Sequence, residues 1–83
     1  MYDNISSKIV NMDEELIYKK LGKRIKYLRE KVHLTQERLA EKSGISLDYL
    51  GKIEVNINKP GFKTIIKIAN SLNVELKELF YFE

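Results

Sequence analysis

The sequence predicts an all-α fold of five helices without a sheet. Apolar residues recur at intervals of three and four, as in the stripe formed by Leu21, Ile25, Leu28 and Val32, which is the spacing of one buried helix face. Residues that break helices are few, with one proline and four glycines among 83 residues. The alternation of apolar and polar residues that marks a half-buried strand is not sustained anywhere.

Length and composition indicate one small globular domain. A chain of 83 residues can bury one modest core, and 33% of its residues are charged. The net charge is +3, and residues 1–20 carry three lysines against four acidic residues. The basic excess therefore lies in residues 21–83. That charge is compatible with binding to a polyanion, although a merely solvated surface would carry it equally well.

Several classes of protein are disfavoured by the composition. The sequence contains no cysteine, which excludes a disulfide framework and a thiolate metal site. It has no apolar run of the roughly 20 residues that a membrane-spanning helix needs and no signal-peptide pattern, so we expect a cytoplasmic protein without membrane contact. The only histidine, His33, has no nucleophile beside it. We therefore expect no enzyme, and predict no catalytic residue, no metal site and no cofactor.

The first 31 residues predict an arm followed by a long helix. Residues 1–12 are mostly polar and are expected to form a flexible arm, with the domain proper in residues 13–83. Asp13 is a candidate N-cap, and Glu14 and Glu15 suit the positive end of the helix dipole. The helix is predicted to run to about Lys31, weakened near Gly22.

Two short helices joined by a tight turn occupy the centre of the chain. Thr35 is predicted to cap a helix over residues 36–43, and Ser46 a helix that begins at residue 47 and ends near residue 55. Gly44 stands where a left-handed residue commonly ends a helix, and the small Ala40 lets the two helices approach closely. Since neither helix is long enough to be stable alone, the pattern predicts a helix-turn-helix.

Two further helices are predicted to close the core. The fourth spans residues 62–72 and ends at a left-handed Asn73. Its predicted buried residues are Phe62, Ile65, Ile68, Ala69 and Leu72. A short fifth helix lies around residues 76–80, where core closure accounts for Leu79 and Phe80 and leaves the next two aromatic residues for an interface.

The segment over residues 21–80 resembles the phage-repressor and Cro-like helix-turn-helix family, also called Xre-like. The matching residues are Arg24, Ile25, Leu28, Arg29, Leu34, Thr35, Gln36, Leu39, Ala40, Ser43, Gly44, Ile45, Ser46, Tyr49, Leu50, Ile53, Glu54, Pro60, Ile68, Ala69 and Leu72. An ordered set at matching spacing is far more specific than a single glycine-centred turn. The resemblance implies a compact repressor-like bundle and a sequence-specific transcriptional regulator of bacterial or phage type.

The chain departs from the family pattern at its loops. Asn56 lies two residues after Glu54, at a position where members of the family often have glycine. Gly61 replaces a capping serine, Asn73 replaces a common glycine, and Glu75 replaces a serine or threonine cap. These departures leave the path of the loop after the third helix open.

The third helix has an outward face opposite its buried residues. At about 100° per residue, this face carries Leu47, Asp48, Gly51 and Lys52. The resemblance implies that Leu47, Asp48 and Lys52 contact bases. In the major groove, Lys52 can donate to guanine, Asp48 can accept from cytosine, and Leu47 can touch a thymine methyl group.

Three of these residues have a second interpretation. Gly51 either allows close approach to DNA or is a tolerated surface glycine whose cost, roughly 1 kcal/mol, the fold absorbs. Asp48 either contacts a base or stabilises the helix dipole. Lys52 contacts a base or phosphate, or is simply solvated.

Candidate phosphate contacts flank the outward face. Gln36 opens the second helix, where free backbone N–H groups favour an anion, and the resemblance implies a contact with the DNA backbone. The other candidates are Thr35, Ser46, Tyr49, Asn56, Asn58 and Lys59. Tyr49 is alternatively partly buried. The resemblance also implies a structural ion pair between Arg29 and Glu54.

Double-stranded DNA is the predicted partner, bound as a homodimer to a palindromic operator. A two-fold operator needs two reading helices about one helical turn apart. The candidate dimer interface is Leu79, Phe80, Tyr81 and Phe82. The alternative is an antitoxin or another protein-interaction module with a protein partner, and a controller of restriction–modification genes is a further candidate on the same fold.

Overall fold

The computed structural model describes residues 13–82, which form four α-helices and one 3₁₀ helix. The helices are α1 (Glu14–Lys31), α2 (Gln36–Ser43), α3 (Leu47–Glu54) and α4 (Phe62–Leu72), followed by the 3₁₀ helix Leu76–Phe80. No strand occurs in this range, so the all-α prediction is confirmed, with a 3₁₀ helix in fifth place. The predicted arm, residues 1–12, lies outside the described residues. Within the described part, none of the helices has the length and apolar character needed to cross a membrane.

Side-chain caps begin both helices of the helix-turn-helix. The hydroxyl oxygen of Thr35 accepts a hydrogen bond from the N–H of Arg38 at 3.0 Å. That of Ser46 accepts from the N–H of Tyr49, also at 3.0 Å. Both predicted caps are therefore present. Asp13 occupies the N-cap position of α1, but its side chain makes no capping hydrogen bond.

Left-handed residues end two helices and turn the chain after a third. Gly44 has a φ of 68° at the end of α2, and Asn73 has a φ of 58° at the end of α4, as predicted. Asn56 has a φ of 63° just after α3. Asparagine adopts this conformation more readily than most residues, which explains how Asn56 replaces the glycine common in the family.

One core joins all five elements. Its buried apolar members are Leu21, Ile25, Leu28, Leu39, Ala40, Leu50, Ile53, Ile65, Ile68, Ala69, Leu72 and Leu79. Two predicted core residues are instead exposed, Val32 by 49% and Phe62 by 61%. Val32 follows the last residue of α1, and Phe62 opens α4 one turn before its first buried residue. The regular spacing of apolar residues thus extends beyond the part of each helix that packs in the core.

Gly22 marks the closest approach of α1 to α3. A Cβ atom at this position would lie 2.5 Å from the carbonyl oxygen of Ile53 and 3.0 Å from that of Glu54. Helix α1 continues unbroken through Gly22, so the predicted weakening there is wrong. The residue is glycine at a site where the backbone of α3 leaves no room for a side chain.

Arg24 holds the C-terminal segment against α1. Its Nε donates a hydrogen bond to the carbonyl oxygen of Glu78 at 2.8 Å. The central carbon of its guanidinium group lies 5.3 Å from the ring centroid of Tyr27 and 5.5 Å from that of Tyr81, within the range of cation–π attraction. The segment after the 3₁₀ helix is thereby fixed to the outer face of α1.

The C-terminal aromatic residues divide differently from the prediction. Leu79 is fully buried, and the half-buried Phe82 packs against the core. Phe80 is 38% exposed and Tyr81 is 66% exposed. The core is therefore closed by Leu79 and Phe82 rather than by Leu79 and Phe80.

We predict that Gly22→Ala lowers the free energy of unfolding by about 1–3 kcal/mol, because the added methyl group forces the backbones of α1 and α3 apart. The matched control is Gly51→Ala, whose Cβ would lie 3.8 Å from its nearest neighbour, the side chain of Gln36. That control should be neutral or more stable by up to about 1 kcal/mol. Urea denaturation measures both, and equal stabilities would contradict the account of Gly22.

Candidate nucleic-acid interface

The outward face of α3 presents the three predicted base-contacting side chains and Gly51 side by side. The side chain of Asp48 is 76% exposed and that of Lys52 is 45% exposed, and Leu47 is 48% exposed. Gly51 is half-buried between them. The face therefore offers an apolar surface, an acceptor and a donor over about one and a half helical turns.

Asp48 and Lys52 form an ion pair on this face. The Oδ2 atom of Asp48 lies 3.1 Å from Nζ of Lys52, with the acid one turn before the base, the favourable order on a helix. The pair places the lysine ammonium beside the Asp48 carboxylate and, because both side chains are open to water, it is weak. A cytosine amino group and a guanine oxygen are the groove partners that match this acceptor and this donor.

Gly51 has space beside it. Among residues 13–82, the only side chain within reach of an added Cβ is that of Gln36, at ordinary contact distance. The fold therefore does not require glycine at this position. DNA binding by the Gly51→Ala variant distinguishes close approach to a duplex from simple tolerance.

A buried carboxylate links three helices behind the outward face. Glu54 Oε2 accepts from Arg29 Nε at 2.8 Å, and Glu54 Oε1 accepts from Arg29 Nη2 at 3.1 Å and from Gln36 Nε2 at 2.9 Å. Arg29 also donates to the carbonyl oxygen of Leu34 at 2.7 Å. Arg29 is only 7% exposed and Glu54 only 5%. This bidentate pair ties α1 to the end of α3, and Gln36 adds the start of α2.

Three polar side chains at the helix starts keep donors for an anion. The amide of Gln36 has two N–H groups, and within the described part of the chain only one of them is bonded, to Glu54. Thr35 and Ser46 cap their helices as acceptors, so each hydroxyl keeps its own proton to donate. All three sit beside helix N-termini, where the backbone favours negative charge.

The loop after α3 folds back onto the helix. The N–H groups of Ile57 and Asn58 both donate to the carbonyl oxygen of Lys52, at 2.8 and 3.1 Å. This contact places the candidate phosphate-binding side chains of the loop next to the outward face. Asn56 and Asn58 are half-buried, and the Lys59 side chain is 37% exposed.

Two predicted site residues are placed differently from the rest. Tyr49 is half-buried and packs against the core, in agreement with its alternative interpretation. Leu79 is 0% exposed because the 3₁₀ helix packs on α1 and α4 and buries this side chain. Its assignment to a dimer interface is therefore wrong, since a buried side chain cannot contact a partner.

Glu15 joins the site without having been predicted. Its carboxylate oxygens lie 3.1 and 3.3 Å from Nζ of Lys59, and Oε2 accepts from Nδ2 of Asn56 at 3.1 Å. The hydrogen bond and the charge of Lys59, together with the Asn56 bond, lower the pKa of Glu15. A sequence signal exists, because Glu15, Gly22 and Arg29 recur at intervals of seven and share one face of α1.

The helix-turn-helix family model HTH_3 matches residues 25–79. The chain belongs to this family. The match begins within α1, includes the α2–turn–α3 unit and ends in the 3₁₀ helix, so the resemblance inferred from the sequence is confirmed.

Relatives of this chain include proteins named as a repressor and as transcriptional regulators. The chain is 36% identical over 59 residues to the immunity repressor protein of Bacillus phage phi105, covering 71% of this chain and 41% of that protein. It is 41% identical over 61 residues to the ImmF control region 10 kDa protein of the same phage, covering 74% and 68%. It spans 42% of an uncharacterized HTH-type transcriptional regulator of Mycobacterium tuberculosis.

Solved structures share the fold. The restriction-modification controller protein C.AhdI from Aeromonas hydrophila is 36% identical, with a TM-score of 0.75 over 76% of this chain and 96% of that chain. An HTH_3 family transcriptional regulator from Vibrio cholerae is 26% identical, with a TM-score of 0.78 over 82% and 38%. The fold of this chain is thus shared with these two solved structures.

We predict that Glu54→Ala lowers the free energy of unfolding by about 3–5 kcal/mol, because it leaves the Arg29 cation buried without its partner. A matched control is Glu41→Ala, which removes an exposed ion pair with Arg38 whose two side chains are 69% and 62% exposed. It should cost less than about 1 kcal/mol. Thermal or urea denaturation compares them, and similar losses would show that the buried pair does not hold α1 to α3.

Proposed function

We propose that this chain is a DNA-binding transcriptional regulator that places the outward face of α3 in the major groove. The observation that carries the proposal is the position of the exposed Leu47, Asp48 and Lys52 on one face, between the start of α2 and the loop over residues 56–59. An α-helix fits the major groove, where each base pair presents a distinct pattern of donors and acceptors.

The proposed contacts divide into two kinds. Donors from the helix starts and the loop hold phosphates and set the register, and the α3 face distinguishes bases. In this scheme Gln36 contacts a phosphate while Glu54 fixes its orientation. Lys52 donates to a guanine, with Asp48 as an acceptor for a neighbouring cytosine.

Repression from a palindromic operator by a homodimer is the form of regulation that we propose. The phi105 relative is named an immunity repressor, which supports repression. As a second candidate, a controller of restriction–modification genes is favoured by the match to 96% of the C.AhdI chain. Both candidates use the same DNA-binding face, act in the cytoplasm where the DNA is, and involve no catalysis and no cofactor.

We expect Lys52→Ala to relax base preference by about 1–3 kcal/mol at one position of each half-site, because one donor to a base edge is lost. By contrast, Gln36→Ala should weaken binding to all duplexes alike, since a phosphate contact carries no sequence information. Selection of duplexes from a random pool, followed by competition binding, measures both effects.

Salt dependence provides the control for this experiment. Affinity for any duplex should fall steeply as salt rises, because phosphate contacts release counterions. Duplex binding that neither substitution changes would contradict the proposed face. A protein that binds no duplex in dilute buffer but captures a protein partner would favour the antitoxin-like alternative.

The exposed C-terminal aromatic residues are the proposed dimer contact, and we expect the double variant Phe80→Ser, Tyr81→Ser to shift the wild-type dimer to monomer. The matched control is Ile57→Ser, Phe62→Ser, which removes apolar side chains that are 66% and 61% exposed on another surface. Sedimentation equilibrium over a range of protein concentrations measures the assembly. Dissociation by the control variant alone would move the interface to the start of α4.

A further inference from the structure

The loop after α3 already holds an anion that comes from its own chain. Lys59 and Asn56 both point their donors at the carboxylate of Glu15, with all three contacts between 3.1 and 3.3 Å. These two side chains are also proposed contacts for DNA phosphate. The carboxylate therefore neutralises the charge of Lys59 and takes one of the two N–H groups of Asn56, both of which a phosphate would use.

The position of Glu15 follows from the docking of α1 on α3. Gly22 lies against the last carbonyl groups of α3, and Arg29 binds the side chain of its last residue. Glu15 stands two turns before Gly22 on the same face of α1. It consequently meets the segment that continues from α3, which is the loop over residues 56–59.

We propose that Glu15 acts as an internal substitute for a DNA phosphate and lowers the affinity of the protein for all duplexes to a similar extent. This inference rests on the proposed function. A carboxylate and a phosphate are both strong anionic acceptors for these two side chains, so the loop attracts a phosphate less strongly while its lysine is already paired with a carboxylate. The two anions also repel each other at close range.

The contact is suited to exchange. The Glu15 side chain is 59% exposed and that of Lys59 is 37% exposed, and ion pairs open to water are weak. A phosphate approaching from solvent can therefore displace the carboxylate without disturbing the core. Until then, Glu15 holds the loop against α1 and keeps the positive charge of Lys59 neutralised.

The decisive variant is Glu15→Gln, which keeps a side-chain oxygen that can accept from the loop but removes the negative charge. We expect it to bind duplex DNA about three- to tenfold more tightly, because the charge of Lys59 is no longer neutralised and no carboxylate repels the phosphate. The slope of the logarithm of the association constant against the logarithm of salt concentration should steepen by up to about 0.9. The ratio of affinities for selected and mixed-sequence duplexes should not change.

Two controls separate this competition from a general change in net charge. Glu14→Gln removes the neighbouring exposed carboxylate, which forms no ion pair among residues 13–82, and should tighten binding less. Lys59→Gln removes the shared donor. In the Lys59→Gln protein, Glu15→Gln should raise the affinity for duplex DNA no more than Glu14→Gln does. Conversely, Lys59→Gln should cost more affinity in the Glu15→Gln protein than in the wild type.

Three results would overturn the inference while leaving the proposed function intact. The first is weaker duplex binding by Glu15→Gln, which would mean that the carboxylate supports the loop. The second is a gain in affinity equal to that of Glu14→Gln. The third is a gain in affinity that persists in full when Lys59 is replaced. Absence of duplex binding by the wild type would instead overturn the proposed function itself. Circular dichroism of each variant verifies that the helices are retained.

Discussion

The orientation of the outward face of α3 depends on the hydrogen bonds of the buried Glu54 carboxylate. Helix α3 has eight residues and is too short to be stable alone, so its direction must come from what it packs against. Its inner side packs in the apolar core, and its last residue binds Arg29 of α1 and Gln36 of α2. Because a charge left unpaired in this position is costly, the three helices keep one relative orientation. The outward side chains of α3 are thereby held ready for a partner.

Helix α1 supports α3 and its loop through three contacts of different strength, spaced seven residues apart. Arg29 makes a buried ion pair, Gly22 makes a backbone contact without side-chain clearance, and Glu15 makes an exposed ion pair with the loop. The support is buried at the end of α3 and open to water at the loop over residues 56–59. The buried contacts maintain the fixed geometry that base recognition requires. The exposed contact allows affinity to be adjusted by charge.

Most of the fold could be predicted because its signals are local. Caps at Thr35 and Ser46 and a left-handed Gly44 locate the helix-turn-helix from a few adjacent residues. The role of Gly22 could not be predicted in the same way, because its partners are backbone carbonyl groups of α3. Every residue has such a group, so the sequence does not indicate which ones lie against Gly22. The apolar period of α4 predicts a buried Phe62, but periodicity does not show how far along the helix the neighbouring elements extend to cover it. Among the candidate site residues, the α3 face follows from helix geometry, whereas the Glu15 contact depends on how α1 docks.

We propose that the outward face of α3, the start of α2 and the loop over residues 56–59 together contact duplex DNA. Backbone amide chemical shifts of the labelled protein, followed during titration with a selected duplex, test this most directly. We expect the largest shifts at residues 35–36, 46–52 and 56–59, with little change on the opposite side of α1 around Lys23 and Tyr27. Shifts concentrated on that opposite side, with α3 unaffected, would contradict it.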